Sequence, residues 1–267
     1  MVKEETAMRI GIFQFDVRLG EPEANHHLVE RALEEESAKG ALPRALVLPE
    51  LWSTGYALER ADELASPEGK ESARFLGELA KRYGMWFVGG SVLAKITGGF
   101  ANRAQVINPK GELVATYDKI HLIRLMEEDK YFIRGRKRCL FDLDGIKAAC
   151  VICYDIRFPE LMRRLALEGA KILFVSSEWP KERIEHWRIL LSSRAIENQM
   201  YVVACNRCGS SAGTTFGGHS MIIDPWGSIL YEAEEEEAFG TAEVDIAKVD
   251  EVRKFLPVFE DRLPEAY

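Results

Sequence analysis

Glu50, Lys119 and Cys153 are three residues whose types, taken together, could make and break an acyl–nitrogen bond. Each stands where an apolar, strand-like run gives way to polar chain: Glu50 after LVLP, Lys119 after VATYD, Cys153 at the end of ACVIC. Reacting groups in open α/β proteins collect just beyond the carboxyl ends of strands. Singly, each has a plain explanation. A strand-terminal Glu is usually solvated, a Lys after an Asp is usually a surface charge, and a Cys in an apolar strand is usually inert packing. Together they supply what acyl transfer from nitrogen requires. A thiol with a pKa of about 8.5 is mostly protonated at neutral pH. A carboxylate can take that proton as sulfur attacks, while an ammonium favours the thiolate and a developing oxyanion. The same carboxyl group can then protonate the departing amine. The scheme needs no metal, no organic cofactor and no histidine.

The stretch CVICYDIRFPE is unusual for a strand end, which normally closes on Gly, Asn, Asp or Pro. Here the apolar run closes on Cys153 and passes at once to Asp155, Arg157 and Pro159, a residue suited to open a helix.

The elements that must position these residues alternate along the chain. Residues 8–16 read as a strand, and 21–40 as a helix with Leu28, Ala32 and Leu33 on one face and a stop at Gly40. Residues 45–50 form a short buried strand, 72–84 an amphipathic helix ending at Gly84, and 85–93 a further strand. Residues 101–119 read as a hairpin about Pro109-Lys110-Gly111. The βα rhythm resumes with strand 146–153, helix 158–169, strand 170–176, helix 182–199 and strand 200–206. Strand-like runs at 218–225, 228–233 and 239–246 follow, then a helix over 247–256. Hairpins interrupting the alternation argue against a purely parallel doubly wound sheet and for an α/β sandwich with mixed sheets.

Composition narrows the partners. The chain has 267 residues, 47% hydrophobic and 29% charged, enough for one layered domain with a large core. A formal net charge of −8 argues against general affinity for nucleic acid or acidic membranes. The first sixteen residues lack a signal-peptide h-region and no later run reaches spanning length, so a soluble cytoplasmic protein is expected, with Met8 as an alternative start. Five cysteines without an export signal do not read as a disulfide framework. Cys150/Cys153 and Cys205/Cys208 each form C-x-x-C, but residues three apart on a strand face opposite ways, so zinc is set aside and no metal is expected. The run Glu234–Glu237 reads as a solvated turn between strands.

The segments LPELWSTGY, YDKIHL and CYDIRFPE resemble, in order, the three catalytic segments of the nitrilase superfamily of carbon–nitrogen hydrolases. HWRILLSSRAIENQMYVVACNR, GHSMIIDPWG and LPVFEDRLPEAY extend the resemblance over essentially the whole chain. It implies Glu50 as general base and then acid, Cys153 as the nucleophile that forms a thioester, and Lys119 with the backbone N–H of Tyr154 as oxyanion donors. Asp155 and Arg157 would brace the elbow carrying Cys153. The resemblance also implies a second glutamate before a glycine. MEEDKYFIRG offers Glu127 and Glu128, and spacing back from Gly135 favours Glu128, although Arg134 stands where the family usually has Pro. The implied fold is a four-layer α-β-β-α sandwich spanning residues 1–267, commonly dimeric, with the tail 255–267 at the interface.

HLIRLMEEDKYFIRG, SSEWP and ENQMYVVACNR look most like short bacterial relatives of ω-amidases, which release ammonia from the terminal amide of small 2-oxo acids such as 2-oxoglutaramate and 2-oxosuccinamate. Such a substrate needs a cationic end for its carboxylate, for which Arg124, Lys130, Arg134 and Arg207 are candidates. Trp179 could wall the pocket, whereas His186 and Trp187 read as packed residues of the long helix. Alternatives are an N-carbamoyl amino acid, a simple aliphatic amide, or a non-catalytic binding role on the same scaffold.

Overall fold

The computed structural model describes residues 7–266. The first half of the chain builds one sheet and its outer helices: β1 (Ala7–Gln14), α1 (Pro22–Ala38), β2 (Ala45–Val47), α2 (Ala61–Leu64), β3 (Ser66–Pro67), α3 (Lys70–Tyr83), β4 (Trp86–Ile96), β5 (Gly99–Ile107) and β6 (Leu113–Asp118). The second half builds the other: α4 (Glu128–Tyr131), β7 (Leu140–Leu143), β8 (Ile146–Ile152), α5 (Pro159–Leu167), β9 (Ile172–Ser177), α6 (Ile184–Asn198) and β10 (Tyr201–Asn206). A small hairpin, β11 (Ser210–Ser211) and β12 (Thr214–Thr215), precedes β13 (Met221–Ile223), β14 (Ile229–Glu232), β15 (Ala238–Asp245) and α7 (Ala247–Phe255).

Among the described residues the first sheet runs β15-β1-β2-β4-β5-β6 and the second β14-β13-β10-β9-β8-β7. β1–β2 and β2–β4 pair in parallel, as do β8–β9 and β9–β10, while the flanking pairs are antiparallel. Both sheets are therefore mixed, as the interrupted alternation predicted.

Strand periodicity explains the layers. Ile10 and Ile12, Ala45 and Val47, Trp86 and Val88 point into the core shared with the second sheet. Their neighbours Phe13, Leu46 and Phe87 point outward onto Val29 and Leu33 of α1 and Leu76, Leu79 and Ala80 of α3. On the far side Leu161 and Leu165 of α5 and Trp187, Leu191 and Ala195 of α6 close the larger core. α3 stops at Gly84, whose φ of +65° is the left-handed C-terminal geometry that glycine adopts most readily. Pro159 opens α5, as its missing N–H permits.

Several boundaries differ from the sequence reading. β2 ends at Val47, so Glu50 lies in the turn beyond it. β4 is longer than expected and bulges between Val88 and Ser91, beside Gly90 with φ +71°. Strand β8 stops at Ile152, and Cys153 already belongs to a short helical turn, Cys153–Arg157. Glu234–Glu237 lies between β14 and β15 and is exposed, as expected. No helix among the described residues is long and apolar enough to cross a membrane.

Candidate active site

The turn after β2 is tied down by backbone groups before its carboxylate does anything. Leu51 N–H donates to Ser91 Oγ (2.9 Å) and Trp52 N–H to Ser91 O (3.0 Å), at the bulge of β4. Leu51 takes φ +44°, a left-handed conformation strained for a branched side chain. Glu50 is thereby turned inward and fully buried. Its Oε1 accepts hydrogen bonds from Lys119 Nζ (2.7 Å), Asn102 Nδ2 (2.8 Å) and Tyr56 OH (2.9 Å). Its Oε2 accepts one from the backbone N–H of Glu178 (3.0 Å).

Lys119 is the first residue past β6. Its N–H donates to Asn102 O (3.0 Å), and its carbonyl accepts from Gly135 N–H (2.9 Å). A Cβ at Gly135 would lie 1.9 Å from Asp118 O, so only glycine allows this close approach. The segment between carries Glu128 into the interior. Glu128 Oε1 accepts from Lys119 Nζ (2.7 Å) and lies 2.7 Å from Tyr56 OH, and its Oε2 accepts from Ile123 N–H (2.8 Å). Glu127 instead points outward and pairs with Lys130, which assigns the buried position to Glu128.

Cys153 sits at the elbow with φ +45°, 4% exposed. The strained turn is held by Asp155, which is fully buried. Its Oδ2 accepts from Ile152 N–H (3.0 Å) and Tyr117 OH (2.8 Å), and its Oδ1 from His121 N–H (3.0 Å). One carboxylate thus joins the end of β8 to the segment that carries Lys119. Tyr154 is the second residue of the helical turn, where a backbone N–H has no acceptor within the turn.

Burial and charge set the protonation pattern. Burial alone raises the Glu50 carboxyl, but Lys119 and the Glu178 N–H outweigh it and hold Glu50 below the usual range. Burial pulls Lys119 down, but Glu128 and Glu50 reverse this and keep it firmly an ammonium. Glu128 is shifted upward by burial and by Glu50, with Lys119 only partly opposing. Burial first and the Glu50 charge second push the Cys153 thiol well above its ordinary value, against the pull of Lys119. The resting arrangement is a neutral thiol facing a carboxylate and an ammonium, the set needed for base-assisted attack on a carbonyl.

The remaining sequence candidates separate. Asp155 braces the elbow as expected. Arg157 does not: its guanidinium lies over the Trp179 ring (4.6 Å) and near His186 Nδ1 (3.4 Å). Its side chain turns away from the elbow onto the indole face, where a cation–π contact holds it. Trp179 is buried, donates Nε1 to Arg183 O (2.8 Å), and backs Arg157 rather than walling the cleft. Arg207 is fully buried between Glu178 and Asp16, and Lys130 lies on the surface with Glu127; neither lines the cleft beside Tyr154. Trp187 is packed as expected, whereas His186 is exposed at the cleft.

That cleft, about 680 Å³, is lined by Arg124, Arg134, Arg157, Arg183, His186 and Tyr154, among others, and no described carboxylate lines it. The C-x-x-C pairs do not converge: Cys150 meets Cys139 across β7–β8, and Cys205 Sγ donates to Phe13 O (3.2 Å). Tyr56, Asn102 and Glu178 escaped the sequence reading. Glu178 follows the apolar run ILFVSS as Glu50 follows LVLP, so the strand-end rule could have found it; Tyr56 and Asn102 carry no comparable signal.

Comparison with known proteins places this geometry. The carbon–nitrogen hydrolase family profile matches residues 9–254. The chain is 43% identical over 258 residues to the 2-oxoglutaramate amidase of Bacillus subtilis (strain 168), covering 97% of this chain and 98% of that protein. Its fold superposes on the crystal structure of XC1258 from Xanthomonas campestris, a CN-hydrolase superfamily protein with an arsenic adduct in its active site. The TM-score there is 0.88 at 29% identity, covering 96% of this chain and 97% of that one. A mutant amidase from Nesterenkonia sp. AN1, with acrylamide added at its active-site cysteine, matches with TM-score 0.81 at 27% identity over 94% of this chain and 98% of that one. A buried Glu–Lys–Glu cluster beside an elbow cysteine, on this fold and with these relatives, leads to one assignment: the chain belongs to the carbon–nitrogen hydrolase family.

Proposed function

We propose that the enzyme hydrolyses the terminal amide of a small 2-oxo acid, 2-oxoglutaramate or 2-oxosuccinamate, through a thioester on Cys153. The observation that carries the reading is the convergence of Glu50 and Lys119, both fully buried and 2.7 Å apart, on the elbow thiol. Cys153 Sγ attacks the amide carbon while its proton passes to Glu50. The oxyanion is met by Lys119 Nζ and Tyr154 N–H. As the tetrahedral intermediate collapses, the C–N bond breaks and Glu50 returns the proton to nitrogen, releasing ammonia. Water, deprotonated by Glu50, then attacks the thioester, giving the carboxylic acid and restoring the thiol. Glu128 and Tyr56 hold Lys119 and Glu50 in register. The adduct at the Nesterenkonia amidase's cysteine supports sulfur as the nucleophile.

The basic cleft supports an anionic substrate. Arg124, Arg134 and Arg183 form no ion pair with a described residue, and the cleft reaches Tyr154, next in chain to the nucleophile. A 2-oxo acid would place its carboxylate among these guanidiniums and its amide at Cys153. The activity of the Bacillus relative favours this substrate class over N-carbamoyl amino acids and aliphatic amides. The reading includes a cytoplasmic homodimer. Exposed Ile189, Ile196, Trp226, Phe255, Leu256 and Leu263 favour an apolar contact between copies near the C-terminal segment.

The test is ammonia release from 2-oxoglutaramate beside glutamine, asparagine and an N-carbamoyl amino acid, with Cys153→Ala as control. Turnover of the 2-oxo amide that disappears in the variant is expected. Equal turnover of all four, or full activity in Cys153→Ala, would overturn it. Light scattering of the purified protein tests the dimer.

A further inference from the structure

We propose that the buried ion pair Glu178–Arg207 positions the base: it holds the Glu178 backbone N–H on Glu50 Oε2 and balances the charge beside that oxygen. This rests on Glu50 being the general base, as proposed above.

The proton-accepting atom follows from counting donors. Lys119 and Asn102 already fill both lone-pair directions of Glu50 Oε1, and the Tyr56 hydroxyl, shared with Glu128, crowds the same atom. Oε2 accepts from the Glu178 N–H, at 3.0 Å, which leaves it a lone pair for the Cys153 thiol that hydrogen-bonds this carboxylate. Oε2 is therefore the oxygen that takes the thiol proton and later gives it up, and Glu178 is the residue that aims it.

What aims Glu178 is Arg207. The two are the first residues past the parallel strands β9 and β10, and both are fully buried. Arg207 Nη1 donates to Glu178 Oε2 (3.0 Å), Nη2 donates to Asp16 Oδ1 (3.0 Å), and the guanidinium lies 4.4 Å from the centre of the Phe216 ring. Its backbone N–H donates to Ser177 O (3.0 Å), the same carbonyl that accepts the Glu50 N–H (3.4 Å). Base, aiming peptide and guanidinium are thus joined through one carbonyl.

A buried ion pair adds little to stability over a well-packed apolar pair, because desolvation offsets the Coulomb gain. Its position explains it better. The charged groups facing Glu178 are Arg207 past β10, Asp16 past β1, Glu50 past β2, and Tyr56 in the following turn. Burial, Glu50 and Asp16 push the Glu178 carboxyl up to about 7 despite Arg207. Without Arg207, ionised Glu178 would be an uncompensated negative charge beside the base, and its side chain would lose its anchor. Without the Glu178 charge, Arg207 would weaken the base.

The test compares Arg207→Gln, Glu178→Gln, the double variant and Glu50→Gln by kcat, KM and pH–rate profile with 2-oxoglutaramate, and by the rate of Cys153 alkylation with iodoacetamide, which needs no substrate. Arg207→Gln should lower kcat about 10–100-fold with KM changed less than about threefold. The loss should grow towards alkaline pH as Glu178 ionises, which in this variant begins above the wild-type value of about 7 because Arg207 no longer favours the carboxylate. Adding Glu178→Gln should recover most of that loss and remove its pH dependence. Glu178→Gln alone keeps an acceptor for Arg207; it should lower kcat above pH 7, where the wild-type carboxyl is charged, and leave it near wild type well below pH 7, where that carboxyl is already neutral. A pH-independent loss in Arg207→Gln, additive costs in the double variant, or a kcat in Glu178→Gln equal to wild type above pH 7 would overturn the proposal, and the last applies even if Arg207→Gln does not fold. An active Glu50→Gln would instead defeat the base assignment; an inactive one beside unaltered Glu178 and Arg207 variants defeats the positioning role alone.

Discussion

Glu50 and Glu128 offer the same atom, Oε1, to the same two donors: Lys119 Nζ at 2.7 Å from each, and Tyr56 OH at 2.9 and 2.7 Å. The phenol has one proton and can serve only one carboxylate at a time. Tyr56→Phe removes that proton and leaves Glu50 with fewer donors. The expected result is a kcat about tenfold lower, KM little changed, and an acidic limb shifted to higher pH, since the carboxylate form loses a stabilising hydrogen bond. Steady-state kinetics across pH check this; an unchanged limb refutes it.

Lys119 is the described cation that contacts both glutamates. Lys119→Met leaves Glu50 and Glu128 buried without it, a change that typically costs about 3–5 kcal/mol. Urea unfolding should show a loss of that order at pH 7. The loss should be smaller at pH 5, where the orphaned carboxyls take up protons more readily. Turnover should fall at least about a hundredfold, the scale of removing an oxyanion donor.

The neutral thiol makes alkylation a pH readout. Cys153 is pushed upward by burial first and by Glu50 next. Its reaction with iodoacetamide should therefore keep accelerating beyond pH 9 instead of levelling near the usual thiol value. Lys119→Met removes the positive charge that favours the thiolate, so alkylation at a given pH should slow further. Intact-mass kinetics resolve this; a plateau below pH 8 contradicts it.

Asp155 accepts the Ile152 and His121 N–H groups and the Tyr117 hydroxyl. Asp155→Ala strands these donors, at about 1–3 kcal/mol each for a buried group. Thermal denaturation should show a large drop in Tm, and Cys153 alkylation should change in rate because the φ +45° elbow relaxes. A Tm within a degree or two of wild type would mean that the elbow is held elsewhere.

Much of this was legible in the sequence because it rests on local physics. Alternation separated Ile10 and Ile12 from Phe13, and apolar runs ending in polar residues marked Glu50, Lys119 and Cys153. Glu128 was reachable only through its spacing to Gly135, which the close approach to Asp118 O explains. The illegible part depends on who reaches whom across the fold. Arg157 and Arg207 look alike as arginines near a strand end, yet one faces the cleft and the other is sealed between Glu178 and Asp16. Asn102 lies 52 residues from Glu50 in sequence, and no local pattern announces such a pairing.

The first sheet is bordered by β15, which runs antiparallel to β1 from Ala7↔Asp245 to Gln14↔Ala238. During synthesis, the thiol, ammonium and carboxylates leave the ribosome long before the strand that completes the sheet bearing two of them. A nascent chain therefore carries every reactive group before the edge strand of that sheet exists. Until residues 238–245 have been made, the outer edge of β1 stays unpaired from Ala7 to Gln14.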